Sequence, residues 1–306
     1  MAHDHVFIYT HALYIIAKLF ADCDRKIAIE DPCNKGMLRS FLSAGCEIEP
    51  IPVDEKGIQV EYLAGIPVSA VYITPSHQFP LGGILPAGRR AELIRFAGEN
   101  DVYLIEDDYD SKFRYQGEPI APLYSMEPQK VIYVGTFSKV LFPAIRIGYV
   151  ILPQQLHSKW RDLRTHLDVQ NPPFEQGVLA EFLRTRKFDR HLRSMRKLYG
   201  GRRTVLLQAL KTAFGDTWRP WGDAAGLHLA VEFPAMRFDN LFIKRCGEFG
   251  IRIASVEDHS ILKGRHLNKL LLGYGHLEPA EIEEGVALLH SFIKNYVVSK
   301  DCKGIY

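Results

Sequence analysis

The chain has 306 residues, enough for two domains or for one large domain with an appendage, and its 47% hydrophobic and 24% charged residues mark a globular protein with a sizeable core. A formal charge of +2 gives no global argument for nucleic acid or for an anionic membrane. No run approaches the roughly 18–20 apolar residues of a membrane span, and no secretory signal opens the chain. The five cysteines (Cys23, Cys33, Cys46, Cys246, Cys302) are odd in number and form no CxxC pair, which fits a reducing cytosol better than a disulfide framework or a zinc site. His3 and His5 give only a weak metal reading.

In chain order, residues 6–9 read as a strand and 12–20 as a helix that is apolar on most faces. A strand at 26–30 ends in Glu30-Asp31-Pro32, and a helix at 36–44 is stopped by Gly45. Strands at 47–53 and 68–74 follow, the second running into Pro75-Ser76-His77-Gln78-Phe79-Pro80. After a helix at 89–100, the strand at 102–105 leads at once into Glu106-Asp107-Asp108-Tyr109-Asp110. Two apolar runs, 131–134 and 147–152, read as buried strands. Strands alternating with helical stretches indicate βαβ units and a mostly parallel sheet.

From Pro153 the character changes. Residues 154–167 and 174–183 are helical, and Lys187 to about Phe214 reads as one long helix. Strands at 227–233, 251–255 and 269–274, a helix at 239–250 and a closing helix at 278–297 make a second α/β portion. The acids from Glu278 to Glu284 load the first turns of that last helix, as its dipole favours. The boundary is placed near Arg186, giving a large domain over 1–186 and a smaller C-terminal α/β domain over 187–306. Nine Lys/Arg lie between Arg184 and Arg203 against one acid, Asp189. A nucleic-acid patch is one reading of them. Phe188, Leu192, Met195 and Tyr199 nevertheless fall at helical spacing, so the favoured reading is a helix with a buried stripe and a solvated or interface basic face.

The stretch between the two apolar runs contains Thr136, Ser138, Lys139 and Arg146. A lysine between core strands is expensive to bury unless it is paired or neutralised. An imine with a carbonyl compound is one way to neutralise it; the plainer alternative is a turn lysine pointing to water. Ligands of parallel sheets sit beyond the carboxyl ends of strands. Three polar clusters fall at such ends here: Ser76-His77-Gln78, Asp107-Asp108-Tyr109-Asp110 and Thr136 to Lys139. A carboxylate, a phenol, an imine-forming lysine and an arginine around one crevice suit an aromatic aldehyde phosphate. The acidic cluster alone could equally be a surface turn or part of a hard-cation site.

The motifs Thr74-Pro-Ser-His-Gln-Phe-Pro80, Glu106-Asp-Asp-Tyr-Asp-Ser111, Gly135-Thr-Phe-Ser-Lys139 with Arg146-Ile-Gly-Tyr149, Arg190-His-Leu-Arg-Ser-Met-Arg196 and Leu271-Leu-Gly-Tyr274 occur in this order. Together they closely resemble the MocR/GabR regulators, GntR-type transcription factors whose effector domain is similar to a fold-type-I aminotransferase. The resemblance runs over nearly the whole chain. It implies pyridoxal 5′-phosphate on Lys139, Asp107 at the pyridine nitrogen and Tyr109 at the ring hydroxyl. It also implies Ser138 and Arg146 at the phosphate, His77 or Gln78 at the ring oxygen, no metal, and a cytoplasmic homodimer with its sites near the subunit interface.

Family members carry an N-terminal winged helix-turn-helix and linker, which these 306 residues lack together with the first part of the aminotransferase-like domain, so an excised effector domain is expected. By the family pattern the phosphate cup at 7–12 is about three residues short, the aromatic that stacks on the ring falls at Asn34, and the arginine that clamps an α-carboxylate falls at Leu271. Arg252 or Arg265 could take over ligand recognition. The expectation is therefore a sensor that captures an amine-bearing effector, an amino acid or small peptide, as an external aldimine, with DNA contacted only through the missing domain. A working aminotransferase is the alternative, and a dimerisation scaffold without cofactor is a third reading.

Overall fold

The structure, a computed structural model, describes residues 5–7, 9–21, 24–118, 120–167, 173–222 and 224–301. His3, part of the expected strand at 6–9, Cys23 and Cys302 lie outside these residues. Eight strands form the larger sheet: β1 (His5–Phe7), β2 (Lys26–Asp31), β3 (Ile48–Asp54), β4 (Gly57–Ile58), β5 (Val68–Ile73), β6 (Tyr103–Asp108), β7 (Val131–Thr136) and β8 (Gly148–Ile151). Their order is β1-β8-β7-β6-β5-β2-β3-β4. The run from β3 through β2, β5 and β6 to β7 is parallel, and β8, β1 and β4 pair antiparallel at the margins.

Both faces of this sheet are covered, which is why its strands read as continuous apolar runs. Ile27, Ile29, Tyr72, Ile105 and Val134 face one way, onto α1 (Tyr9–Phe20), α2 (Lys35–Ser43) and Trp160 of a later helix. Ala28, Val71, Ile73, Leu104 and Val131 face the other way, onto Leu93 and Ala97 of α3 (Ala87–Asn100). Helix α1 is apolar on most faces because it is sandwiched: Leu13, Ile15, Ile16 and Leu19 are all buried.

The sequence stops the sixth strand at residue 105, but β6 continues through Asp108, in register with β7 at Asp107↔Val134 and Asp108↔Gly135. Its acids need not leave the strand, because each finds a partner inside. Glu106 accepts from the Leu123 and Tyr124 amides of a short helix, α4 (Leu123–Met126), at 3.1 and 2.9 Å. Asp108 accepts from Tyr133 and from Ser111 Oγ (2.7 Å).

Beyond β8 come α5 (His157–Leu167), α6 (Pro173–Arg184) and the long α7 (Lys187–Phe214), with Arg186 in the left-handed region (φ 54°) at the break. The first half of α7 packs Phe188, Leu192, Met195 and Tyr199 with Phe113 and Val140, which is the stripe read from the sequence. Its second half enters another core. There Leu206 and Leu210 meet β10 (His228–Glu232) and β12 (Lys269–Gly273), α8 (Asn240–Glu248) and α9 (Pro279–Asp301). The smaller sheet is antiparallel and includes β9 (Arg219–Trp221) and β11 (Ala254–Ser255) in the order β11-β12-β10-β9. The basic face of α7 is solvated over Arg184–Lys197, but Arg202 and Arg203 are buried. Arg202 donates to Gly275 O (2.7 Å) and pairs with Glu278, and Arg203 lies over the Tyr115 ring.

Candidate functional site

The carboxyl ends of β5, β6 and β7 open on one cavity of about 170 Å3. Asp107, Tyr109, Ser138, Lys139 and Arg146 all line it, so the structure brings together five of the seven residues singled out in the sequence. Thr10 from the first turn of α1, Asn34, Phe79 and His228 complete much of the wall.

Asp107 is 2% exposed and accepts a hydrogen bond from Tyr72, its neighbour on β5. An acceptor carboxylate fixed on the cavity floor is placed to take a hydrogen bond from a protonated ring nitrogen. At the end of β7, Gly135 is required by Tyr149 of β8: a Cβ there would lie 2.3 Å from the Tyr149 ring. The turn that follows is tied by Ser138 N to Thr136 Oγ1 (3.1 Å) and Phe137 N to Ile147 O (2.9 Å). It leaves the Ser138 hydroxyl buried with no hydrogen-bond partner among the described residues. Such a hydroxyl, on the same cavity as Arg146 and Thr10, fits an oxyanion such as a phosphate.

Lys139 is exposed, on the turn, and makes no ion pair among the described residues. Of the two readings the sequence left open, the single chain shows a turn lysine, carried by the turn to the cavity rim, and not one buried between strands. What marks it is the company it keeps in the cavity and not its own desolvation. Arg146, also exposed, adopts a left-handed backbone (φ 49°) at the end of the 143–145 turn.

His77 and Gln78 are not part of the cavity lining. Gln78 is fully buried, its amide donating to Pro32 O and Phe79 O (both 2.8 Å) and accepting from Leu81 N (3.1 Å), so both of its N–H donors are taken inside the fold. His77 is 1% exposed and lies behind Tyr109, its Nδ1 at 2.8 Å from Asp110 Oδ2. From this turn it is Phe79 that reaches the cavity. Asn34 has a local reason to be there: its side chain caps α2 by accepting from Gly36 N (2.8 Å) and Met37 N (3.3 Å). Leu271 pairs with Ala230 and Ala254 in the smaller sheet. Neither Arg252 nor Arg265 lines this cavity. Arg252 instead lies on a separate, largely apolar hollow of about 280 Å3 between β12 and α9.

Sequence reasoning missed Tyr72 and His228. Tyr72 is one of two hydroxyl-bearing residues, with Ser69, in the core strand Val68–Ile73. His228 Nε2 donates to Pro80 O (3.2 Å), and burial first, then His77 and Lys139, push the imidazole well below its usual range, so it is neutral. His77, Asp110 and His228 bring one donor atom each within 4.8 Å, a spacing that admits a metal. The 2.8 Å hydrogen bond between the first two already occupies that space.

A mostly parallel α/β unit with a lysine, a braced aspartate and an oxyanion-fitting corner at its strand ends, joined to a smaller antiparallel unit, defines an aminotransferase-like protein of fold type I. The model of the family described as aminotransferase class I and II matches residues 9–258, and the chain belongs to that family. The sequence is also similar to HTH-type transcriptional regulators. It is 34% identical over 280 residues to the HTH-type transcriptional regulator YdeL of Bacillus subtilis, covering 90% of this chain and 60% of that protein. It is 29% identical over 281 residues to the probable rhizopine catabolism regulatory protein MocR of Rhizobium meliloti, covering 92% and 57%. The chain thus spans less than two thirds of these relatives. Among solved structures, a kynurenine aminotransferase of Pyrococcus horikoshii, in complex with PMP, superposes with a TM-score of 0.87 at 25% identity, over 96% of this chain and 75% of that one.

Proposed function

We propose that this chain is the effector-binding and dimerisation unit of a MocR-type transcriptional regulator that holds pyridoxal 5′-phosphate and senses an amine-bearing ligand. The observation that carries the reading is the convergence of Lys139, Asp107 and the unpartnered Ser138 hydroxyl with Arg146 on one cavity. In this reading Lys139 anchors the cofactor, Asp107 holds its ring nitrogen, Tyr109 its ring oxygen, and Ser138 with Arg146 its phosphate. The bound cofactor supplies an electrophilic carbon to which an amine can add. The mature unit is a cytoplasmic homodimer, divided near Arg186 into a large and a small domain, and DNA is contacted by parts of the regulator that this chain does not span. Among the described residues no helix is long and apolar enough to cross a membrane.

Sensing is favoured over turnover because Leu271 stands where a carboxylate-clamping arginine would, and neither Arg252 nor Arg265 replaces it in the cavity. Protein incubated with pyridoxal 5′-phosphate is expected to gain a visible absorbance band that Lys139→Ala abolishes. Amino acids and small peptides are then screened for a change in that band. No band in the parent protein defeats the proposal. Steady release of keto acid with turnover favours instead a working aminotransferase, the reading that the retained Lys139, Asp107 and Tyr109 support.

A further inference from the structure

The proposed function gives no role to Arg196, which ends the Arg190–Arg196 motif on α7, or to the loop after β6 that it touches. Lys112, Arg114 and Arg196 line a second cavity, of about 350 Å3, together with Ser76 after β5, Asp108 of β6 and Arg90 of α3. None of its lining residues is shared with the cavity that holds Lys139. Asp108 is its one acid and is already engaged: it accepts from the Tyr133 and Ser111 hydroxyls, with Lys112 Nζ at 3.9 Å. The charge of Arg90 is answered by Glu106, at 3.6 Å.

Two guanidinium groups are left over, and both are held ready. Arg114 Nε donates to Gln116 O (3.0 Å) and Gly117 O (3.2 Å), and Arg196 Nε donates to Lys112 O (2.5 Å). Gly117, at φ +72°, lets the loop close on the first of them: a Cβ there would lie 2.9 Å from Arg114 Nη2. Among the described residues neither arginine has an ion pair, and neither uses its Nη groups in a hydrogen bond. The Ser76 hydroxyl on the same wall also has no partner among them. A guanidinium fixed through Nε still offers its outer edge, which takes an oxyanion by paired N–H donors. The solvated basic face of α7 over Arg184–Lys197 draws anions toward the same region.

We propose that this cavity binds a small molecule carrying two oxyanion groups, a diphosphate or a dicarboxylate, one group on the Arg114 guanidinium and one on that of Arg196. Arg196 belongs to α7 and Arg114 to the loop that follows Asp107 and Tyr109, so such a ligand ties the long helix to the segment that carries part of the first cavity. The site does not rest on the cofactor reading, because no residue is common to the two walls.

The test is isothermal titration calorimetry at fixed ionic strength, on protein incubated with pyridoxal 5′-phosphate and then dialysed, with pyrophosphate in one arm and succinate in the other. Saturable one-site uptake of at least one of them is expected. Pyrophosphate alone assigns a diphosphate, succinate alone a dicarboxylate, and uptake of both supports the shared chemistry. Arg114→Gln and Arg196→Gln should each weaken binding about tenfold, the order of one charge-assisted contact. Arg196 is exposed on α7, so its variant folds even where Arg114→Gln does not. Arg193→Gln, on the same helix but outside the cavity, should leave binding unchanged. An equal loss there shows a diffuse attraction to the basic face, such as a nucleic-acid backbone would feel, and overturns the site. So does a parent protein that takes up neither anion, and so does unchanged binding in Arg196→Gln. A loss in Ser138→Ala with none in Arg196→Gln places the anion in the first cavity and likewise overturns it. A protein with no visible band that still shows the expected losses ends only the cofactor reading.

Discussion

Glu30 shows how far a single side chain can depart from what its type suggests. It closes a core strand, is 2% exposed, and accepts from both the amide (3.0 Å) and the hydroxyl (2.6 Å) of Thr74. Burial pushes its carboxyl up to about 7 against the pull of those hydrogen bonds. The folded chain therefore binds this proton more tightly than the unfolded chain does. Its contribution is fully present below the ordinary carboxylate range and is lost as pH rises toward 7. Glu30→Gln is expected to flatten the fall in stability between about pH 4 and pH 8 by about 3 kcal/mol, read from urea unfolding at a series of pH values. An unchanged slope would show that Glu30 is ionised in the fold. Nothing in Ile29-Glu30-Asp31 announces this, since the partner Thr74 lies 44 positions away. A separation of 35 positions likewise hid the pairing of Tyr72 with Asp107, whereas Asp107 itself was legible because it stands at a strand end beside other polar residues.

At the level of elements, the link between β6 and α3 is a buried ion pair. Arg90 is 1% exposed and donates to Leu85 O (3.0 Å), Pro75 O (2.9 Å) and Ala121 O (3.0 Å), with Glu106 at 3.6 Å. One guanidinium thus ties the helix to the loop after β5 and to the segment before α4, and so braces the floor from which Asp107 rises. Arg90→Ala leaves Glu106 buried without its counter-charge and should cost about 3–5 kcal/mol. Arg90→Lys should recover little of it, because an ammonium lacks the planar fork. A loss below about 1 kcal/mol in chemical denaturation would rule out that brace. Sequence patterning located the strands and helices that carry the site because apolar periodicity spans each of them. It missed β4 and β9, of two and three residues, because such short pairings leave no period to read. It also overran at 251–253, where only Ala254–Ser255 pairs.

For the molecule as a whole, the cavity was legible before the fold because the three motifs sit at adjacent strand ends, and topology alone brings those ends together. The roles of His77 and Gln78 were not, since sequence order cannot say which residue of a tight turn faces in. The single chain also leaves apolar side chains of α6 in water: Phe174 is 78% exposed, Val178 55% and Leu183 41%. Exposed apolar side chains of this size on one helix mark an association surface. Phe174→Asp should shift sedimentation-equilibrium mass from dimer toward monomer at micromolar concentration. A parent protein that sediments as a monomer, or a variant that stays dimeric, excludes α6 from the contact.

One junction has a bearing on how such a molecule would move. The Asp31 carboxylate at the end of β2 takes two backbone amides from the loop after β11, Ile261 N at 2.6 Å and Leu262 N at 3.0 Å. Any swing of the smaller sheet away from the larger one has to let go of both at once. Those two N–H groups are therefore a built-in gauge: they can trade hydrogen for deuterium only in the moments when the gate stands ajar.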